Sequence, residues 1–69
     1  MGAYKRFVTE FLALADSQAS TIVAYLSKKE FVVIVPNDDD DDILSARFIQ
    51  IDYDFLDGYP NLLAKADKF

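Results

Sequence analysis

The residues of this chain whose type and spacing can do chemistry are aspartates. Asp38, Asp39, Asp40, Asp41 and Asp42 are consecutive, and Asp52, Asp54 and Asp57 follow within fifteen positions. Clustered carboxylates can chelate hard cations, work in pairs as general acid and base, or imitate the phosphate row of a nucleic acid. As a calcium loop the run fails at both diagnostic places. Asp38, Asp40 and Asp42 would be its first three ligands, but Ile43 stands where the loop needs glycine and Ile49 where it needs a bidentate glutamate. Weak, unspecific binding of Ca²⁺ or Mg²⁺ is expected of any such cluster; a dedicated metal site is not, and no cofactor is implied.

Catalysis is not expected. The chain has no histidine and no cysteine, so the commonest general base and the most reactive nucleophile are both missing. Ser17, Ser20, Ser27 and Ser45 lie in no nucleophile motif, and the glycines, Gly2 and Gly58, form no phosphate loop. A site made of carboxylates alone needs a cleft, which 69 residues can hardly build.

Phosphate imitation is the remaining use, and the charge distribution agrees with it. Residues 1–30 set Lys5, Arg6, Lys28 and Lys29 against Glu10, Asp16 and Glu30, a net of +1. Residues 31–69 set nine aspartates against Arg47, Lys65 and Lys68, a net of −6. Five adjacent like charges repel, so a small domain keeps them at a cost in stability. Alternate residues of a strand lie about 6.6 Å apart on one face. Asp52 and Asp54, placed on a strand, would project as a short row that the 38–42 loop extends. Tyr53, Phe55 and Tyr59 are interleaved with these acids. Tyr53 and Phe55 are expected in the core, whereas Tyr59, beside Pro60 in a turn, is the surface anchor. The competing reading is that the run only keeps the protein in solution.

The elements that must position these acids are read from periodicity. Tyr4, Phe7, Val8, Phe11, Leu12 and Ala15 repeat at helical spacing and predict an amphipathic N-terminal helix. Ala19, Ile22, Val23 and Leu26 resume the stripe, either as a second helix capped by Ser17 or as one long bent helix, with Lys28 and Lys29 at its C-terminus. Phe31–Val35 predicts a strand apolar on both faces, ended by Pro36. A long strand is expected from about Leu44 to Phe55, pairing with 31–35 as a hairpin; residues 42–48 also fit the start of a capped helix. Asp57 to Pro60 is a turn, and Asn61 to Lys68 a short helix facing Leu62, Leu63 and Ala66 inward.

The expected fold is α+β in one domain, 1–69: a helix or helix pair packed on a β-hairpin, then a short C-terminal helix. A chain this small is marginally stable, and with no cysteine or histidine it has neither disulfide nor zinc site to support it. A composition 52% hydrophobic, with a two-sided apolar strand, therefore predicts a homodimer formed through the sheet. No segment reaches the roughly 18 apolar residues of a membrane span, and the net negative charge disfavours direct binding of nucleic acid or anionic membrane. A cytoplasmic protein is expected.

In being short, acidic and free of histidine and cysteine, with Asp38–Asp42 followed by Asp52, Asp54 and Asp57, the chain resembles the small DNA-mimic inhibitors that bacteriophages make. The resemblance covers residues 37–57 and is one of type: no motif matches, so no family residue is carried over. It implies a non-enzymatic inhibitor acting in the host cytoplasm. Its partner would be a basic DNA-binding protein: a nucleoid-associated protein such as HU, a restriction enzyme or a CRISPR effector. Antitoxins and immunity proteins that neutralise a basic toxin share this look, and a small structural or assembly subunit is the alternative from another class.

Overall fold

A computed structural model of the chain describes residues 2–36 and 46–69. The order of elements is helix α1 (Gly2–Ser17), strands β1 (Ile22–Ser27), β2 (Glu30–Val35) and β3 (Arg47–Asp52), a 3-10 helix (Tyr53–Leu56) and helix α2 (Pro60–Ala66). The architecture is α+β: two helices lie on one face of a three-stranded antiparallel sheet of order β1-β2-β3.

The first helix follows its predicted stripe, with Val8, Phe11, Leu12 and Ala15 buried and Tyr4 and Phe7 left exposed at its N-terminal end. It stops where Thr21 turns back. The Thr21 hydroxyl, itself buried, donates to the Ala15 carbonyl at 2.8 Å, and Ser17 donates to Leu14 at 2.7 Å. Side chains thus satisfy carbonyls that the helix end leaves open. The β-branched pair Ile22-Val23 then enters a strand.

Here the structure corrects the expected second helix. Ala19, Ile22, Val23 and Leu26 do not resume a helical stripe; residues 22–27 pair with β2 in the register Ile22↔Ile34, Val23↔Val33, Ala24↔Val32 and Tyr25↔Phe31. Both hydrogen-bonding edges of β2 are used, and that cross-strand gain outweighs local helical periodicity. Lys28 and Lys29 form a tight turn instead of a helix end. Lys29 adopts a left-handed φ of 64°, a conformation that ordinarily favours glycine or asparagine.

β2 is central. Phe31, Val33 and Val35 are buried against the helices with Val23 and Ile51, while Val32 and Ile34 on the opposite face are only half-buried. The pairing of β2 with β3 matches the expected hairpin, in the register Phe31↔Ile51, Val33↔Ile49 and Val35↔Arg47. The strand is shorter than predicted, because β2 begins at Glu30 and leaves nothing to pair beyond Asp52. Instead the Tyr53 amide donates to the Lys29 carbonyl at 2.7 Å, and the following 3-10 turn carries Leu56 into the core with no exposed surface.

Gly58, at φ 98°, makes the sharp turn that Pro60 follows as the first residue of α2. Leu62 and Ala66 are buried and Leu63 is half-buried, as the sequence predicts. The helix is held at both ends. Asp16 Oδ1 accepts from the amides of Asn61 (2.9 Å) and Leu62 (3.1 Å), and Lys65 Nζ donates to the carbonyls of Ala19 (3.1 Å) and Thr21.

Candidate functional site

The connection bearing the aspartate run and the later acids attach at opposite ends of the β2–β3 pair. The chain leaves β2 after Val35 and re-enters β3 at Arg47, so the segment bearing Asp38, Asp39, Asp40, Asp41 and Asp42 is anchored at that end. Those five residues lie outside the described segments. Asp52 closes β3 at the other end, opposite Glu30. Five residues of strand, about 17 Å, lie between the two ends. The part of the expected row that falls on Asp38 to Asp42 lies outside the described residues.

Asp52 and Asp54 do not share a strand face. Asp52 is the last strand residue and Asp54 lies within the 3-10 helix, for want of a ladder partner beyond Glu30. The structure instead brings Asp54 and Asp57 together with Tyr53 and Leu63 around one open cleft of about 420 Å³. Asp52, Asp54 and Asp57 are all exposed. The end they occupy also holds the Lys28-Lys29 turn, so its charge is mixed.

The aromatic residues depart from expectation. Phe55 is not core but 48% exposed. Tyr53 is half-buried, 6.0 Å from the Phe31 ring centroid, and its hydroxyl donates to Asp67 Oδ1 at 2.7 Å. That hydrogen bond, helped by the nearby charges of Asp67 and Asp54, raises its pKa above the ordinary tyrosine value. Tyr59, expected at the surface, is half-buried against the core. Its carbonyl accepts the Leu63 amide at 2.9 Å, and its hydroxyl lies 3.5 Å from the Thr9 carbonyl of α1. Tyr59 thus braces α2 against α1. Among the described residues no three acidic, histidine or cysteine side chains are grouped to hold a metal ion, and no helix is long and apolar enough to cross a membrane.

The sequence marks the outer face of the sheet only at β2, where residues 31–35 are apolar on both sides. Ile22, Ile34 and Phe48 form one cross-strand row, and Ala24, Val32 and Gln50 form the next. Phe48 is 68% exposed and Ile22 48%. The third row is polar: Glu30 faces Asp52, and Gln50 Nε2 donates to Glu30 Oε2 at 2.8 Å. A further sequence signal is Phe48, an apolar residue out of phase with the inward-facing Ile49 and Ile51.

No family model matches the chain, and neither curated proteins nor solved structures match it.

Proposed function

We propose that this protein is a non-enzymatic binding protein that acts as a homodimer. It presents the Asp38–Asp42 segment to a basic, nucleic-acid-binding protein and competes with that partner's nucleic acid. One observation carries the reading. Residues 2–36 have a net charge of +1 and residues 46–69 of −1, so the five aspartates account for all of the chain's −5. The run is thus a concentrated anion joined to an electroneutral frame. One strand of B-DNA carries a phosphate for every roughly 3.4 Å of helix axis, and five consecutive aspartates, with Cα atoms about 3.8 Å apart, carry one charge per residue, a linear charge density of the same order. Asp52, Asp54 and Asp57, anchored at the other end of the sheet, are a secondary patch in this reading.

The test is competition. A labelled DNA duplex is bound to the nucleoid-associated protein HU, and the chain is titrated in at several salt concentrations. Displacement is expected at low salt, is expected to fade as salt rises through the screening range, and is expected to vanish when Asp38 to Asp42 are replaced by asparagine. The same competition is run with a restriction enzyme and a CRISPR effector. If the asparagine variant displaces DNA as well as the original chain at every salt concentration, the run is a solubility device and the proposal fails.

A further inference from the structure

We infer that a small pocket at the outer edge of β3 takes the guanidinium head of an arginine side chain. This rests on the basic partner of the reading above, but on neither Asp38–Asp42 nor the homodimer. The pocket lies between the N-terminal end of α1 and the C-terminal end of β3 and holds about 190 Å³. Pockets for drug-sized ligands run about 300–1,000 Å³, so this one suits a single side-chain head. Its floor is apolar, from the buried Val8 and Ile51, and two exposed rings, Tyr4 and Phe55, stand at its sides. The connection between β2 and β3 attaches at the other end of the pair.

The charge of the pocket selects a cation. Glu30 and Asp52 both line it and face each other across the β2–β3 pair. The Tyr53 amide donates to the Lys29 carbonyl, which makes 29–53 a hydrogen-bonded pair and Glu30–Asp52 a non-hydrogen-bonded one. Cα atoms of such a pair lie about 4.5 Å apart, and like charges directly opposite are destabilising. The hydrogen bond from Gln50 Nε2 to Glu30 Oε2 is from a neutral donor and cancels neither charge. No lysine or arginine is among the described residues that line the pocket. A cation seated between the two carboxylates relieves a repulsion that the fold otherwise carries.

The walls select which cation. A divalent metal ion needs several oxygen ligands, and two carboxylates on an apolar floor are few for it. Aromatic faces attract an organic cation. Of the two basic side chains, arginine is the planar one. Its fork can serve two carboxylates while its flat face lies against a ring, which the ammonium of lysine cannot do.

The experiment follows the backbone amides of the full chain by nitrogen-15 NMR while N-acetyl-arginine amide is added. The side chain is the only charged group of this probe. Signals of Gln50, Asp52 and Phe55 should move and saturate in the millimolar range, because exposed ion pairs and cation–π contacts are each weak. The movement should shrink as salt rises. N-acetyl-citrulline amide, of the same shape but uncharged, should leave them in place. Glu30→Gln and Asp52→Asn should each weaken binding by about 2–5-fold. Phe55→Leu, which keeps apolar bulk and removes the ring, should weaken it by a similar factor. Replacing Asp38 to Asp42 by asparagine should leave the pocket signals responding to arginine while displacement of DNA from HU is lost, so the two readings fail separately. The inference is overturned by any of four results: no movement at these residues, equal movement with citrulline, tighter binding of Ca²⁺ at the same residues, or undiminished binding in the Glu30→Gln and Asp52→Asn chains.

Discussion

Replacing Asp16 by alanine should destabilise the protein by about 1 kcal/mol, the balance of two opposed effects. Asp16 sits in the last turn of α1, where a negative charge opposes the helix dipole and its removal gains about 0.3–1 kcal/mol. Its carboxylate also serves α2, whose own N-cap residue Tyr59 offers no side-chain cap. Pro60 has no amide hydrogen, Leu63 N donates to the Tyr59 carbonyl, and Asp16 Oδ1 takes the amides of Asn61 and Leu62. Every N-terminal amide of α2 through Leu63 is thereby accounted for. Removing a capping acceptor costs about 0.5–2 kcal/mol, and here two donors lose the same oxygen, which places the loss near the upper end. The net of about 1 kcal/mol matters against a total near 3–10 kcal/mol for a chain of this length. It should lower the melting temperature by about 4–8 °C, followed by circular dichroism. Asp16→Asn keeps an oxygen in place and should recover part of the loss. A melting temperature for Asp16→Ala equal to or above that of the original chain would refute the reasoning.

Two further outcomes are expected. Lys29→Gly relieves the left-handed backbone at φ 64°; a gain of roughly 1–2 kcal/mol there, less about 0.5–1 for glycine's extra freedom when unfolded, leaves a stabilisation of about 0.5–1 kcal/mol by urea denaturation. A loss instead would show that the lysine side chain contributes at that turn. Tyr53 should ionise at higher pH than a free tyrosine, followed by ultraviolet titration, and Asp67→Ala, which removes both the acceptor and the charge, should return it toward the ordinary value. Its folded pKa is raised, so its contribution to stability is fully present below the unfolded pKa and is lost as pH rises through the folded one. An unchanged titration in Asp67→Ala would remove the hydrogen bond as the cause.

Helix α1, strand β2 and helix α2 were legible because each carries its own signal: an apolar stripe, a β-branched run, and a Gly58–Pro60 turn. Strand β1 was not, because Ala19, Ile22, Val23 and Leu26 fit a helical stripe as well as a strand, and what decides between them is pairing with residues 31–34. The end of β3 was misplaced for a related reason. Tyr53 and Phe55 continue the alternation, yet the strand stops where β2 supplies no further partner. The candidate acids could be named from sequence, but the placing of Asp52 at the end of β3 and of Asp54 in the 3-10 helix depends on strand length and register. The two-sided apolar run 31–35 signals an outer apolar face, but its extent through Ile22 follows only once β1 is paired with β2.

The contacts that hold α2 reach far back along the chain: Asn61 binds Asp16 across 45 residues, and Lys65 binds Thr21 across 44. On a ribosome adding about 5–20 residues per second, that interval takes roughly 2–9 seconds. A hairpin such as β1–β2 forms in about 1–10 microseconds once its residues are available. The sheet can therefore begin to assemble while the buried stripe of α1, Val8, Phe11, Leu12 and Ala15, still lacks Leu62 and Ala66 to close over it. For seconds at a time the inner face of the sheet has α1 alone to cover it. The five aspartates stand in the sequence between β2 and β3, where charged residues commonly guard apolar strands against aggregation.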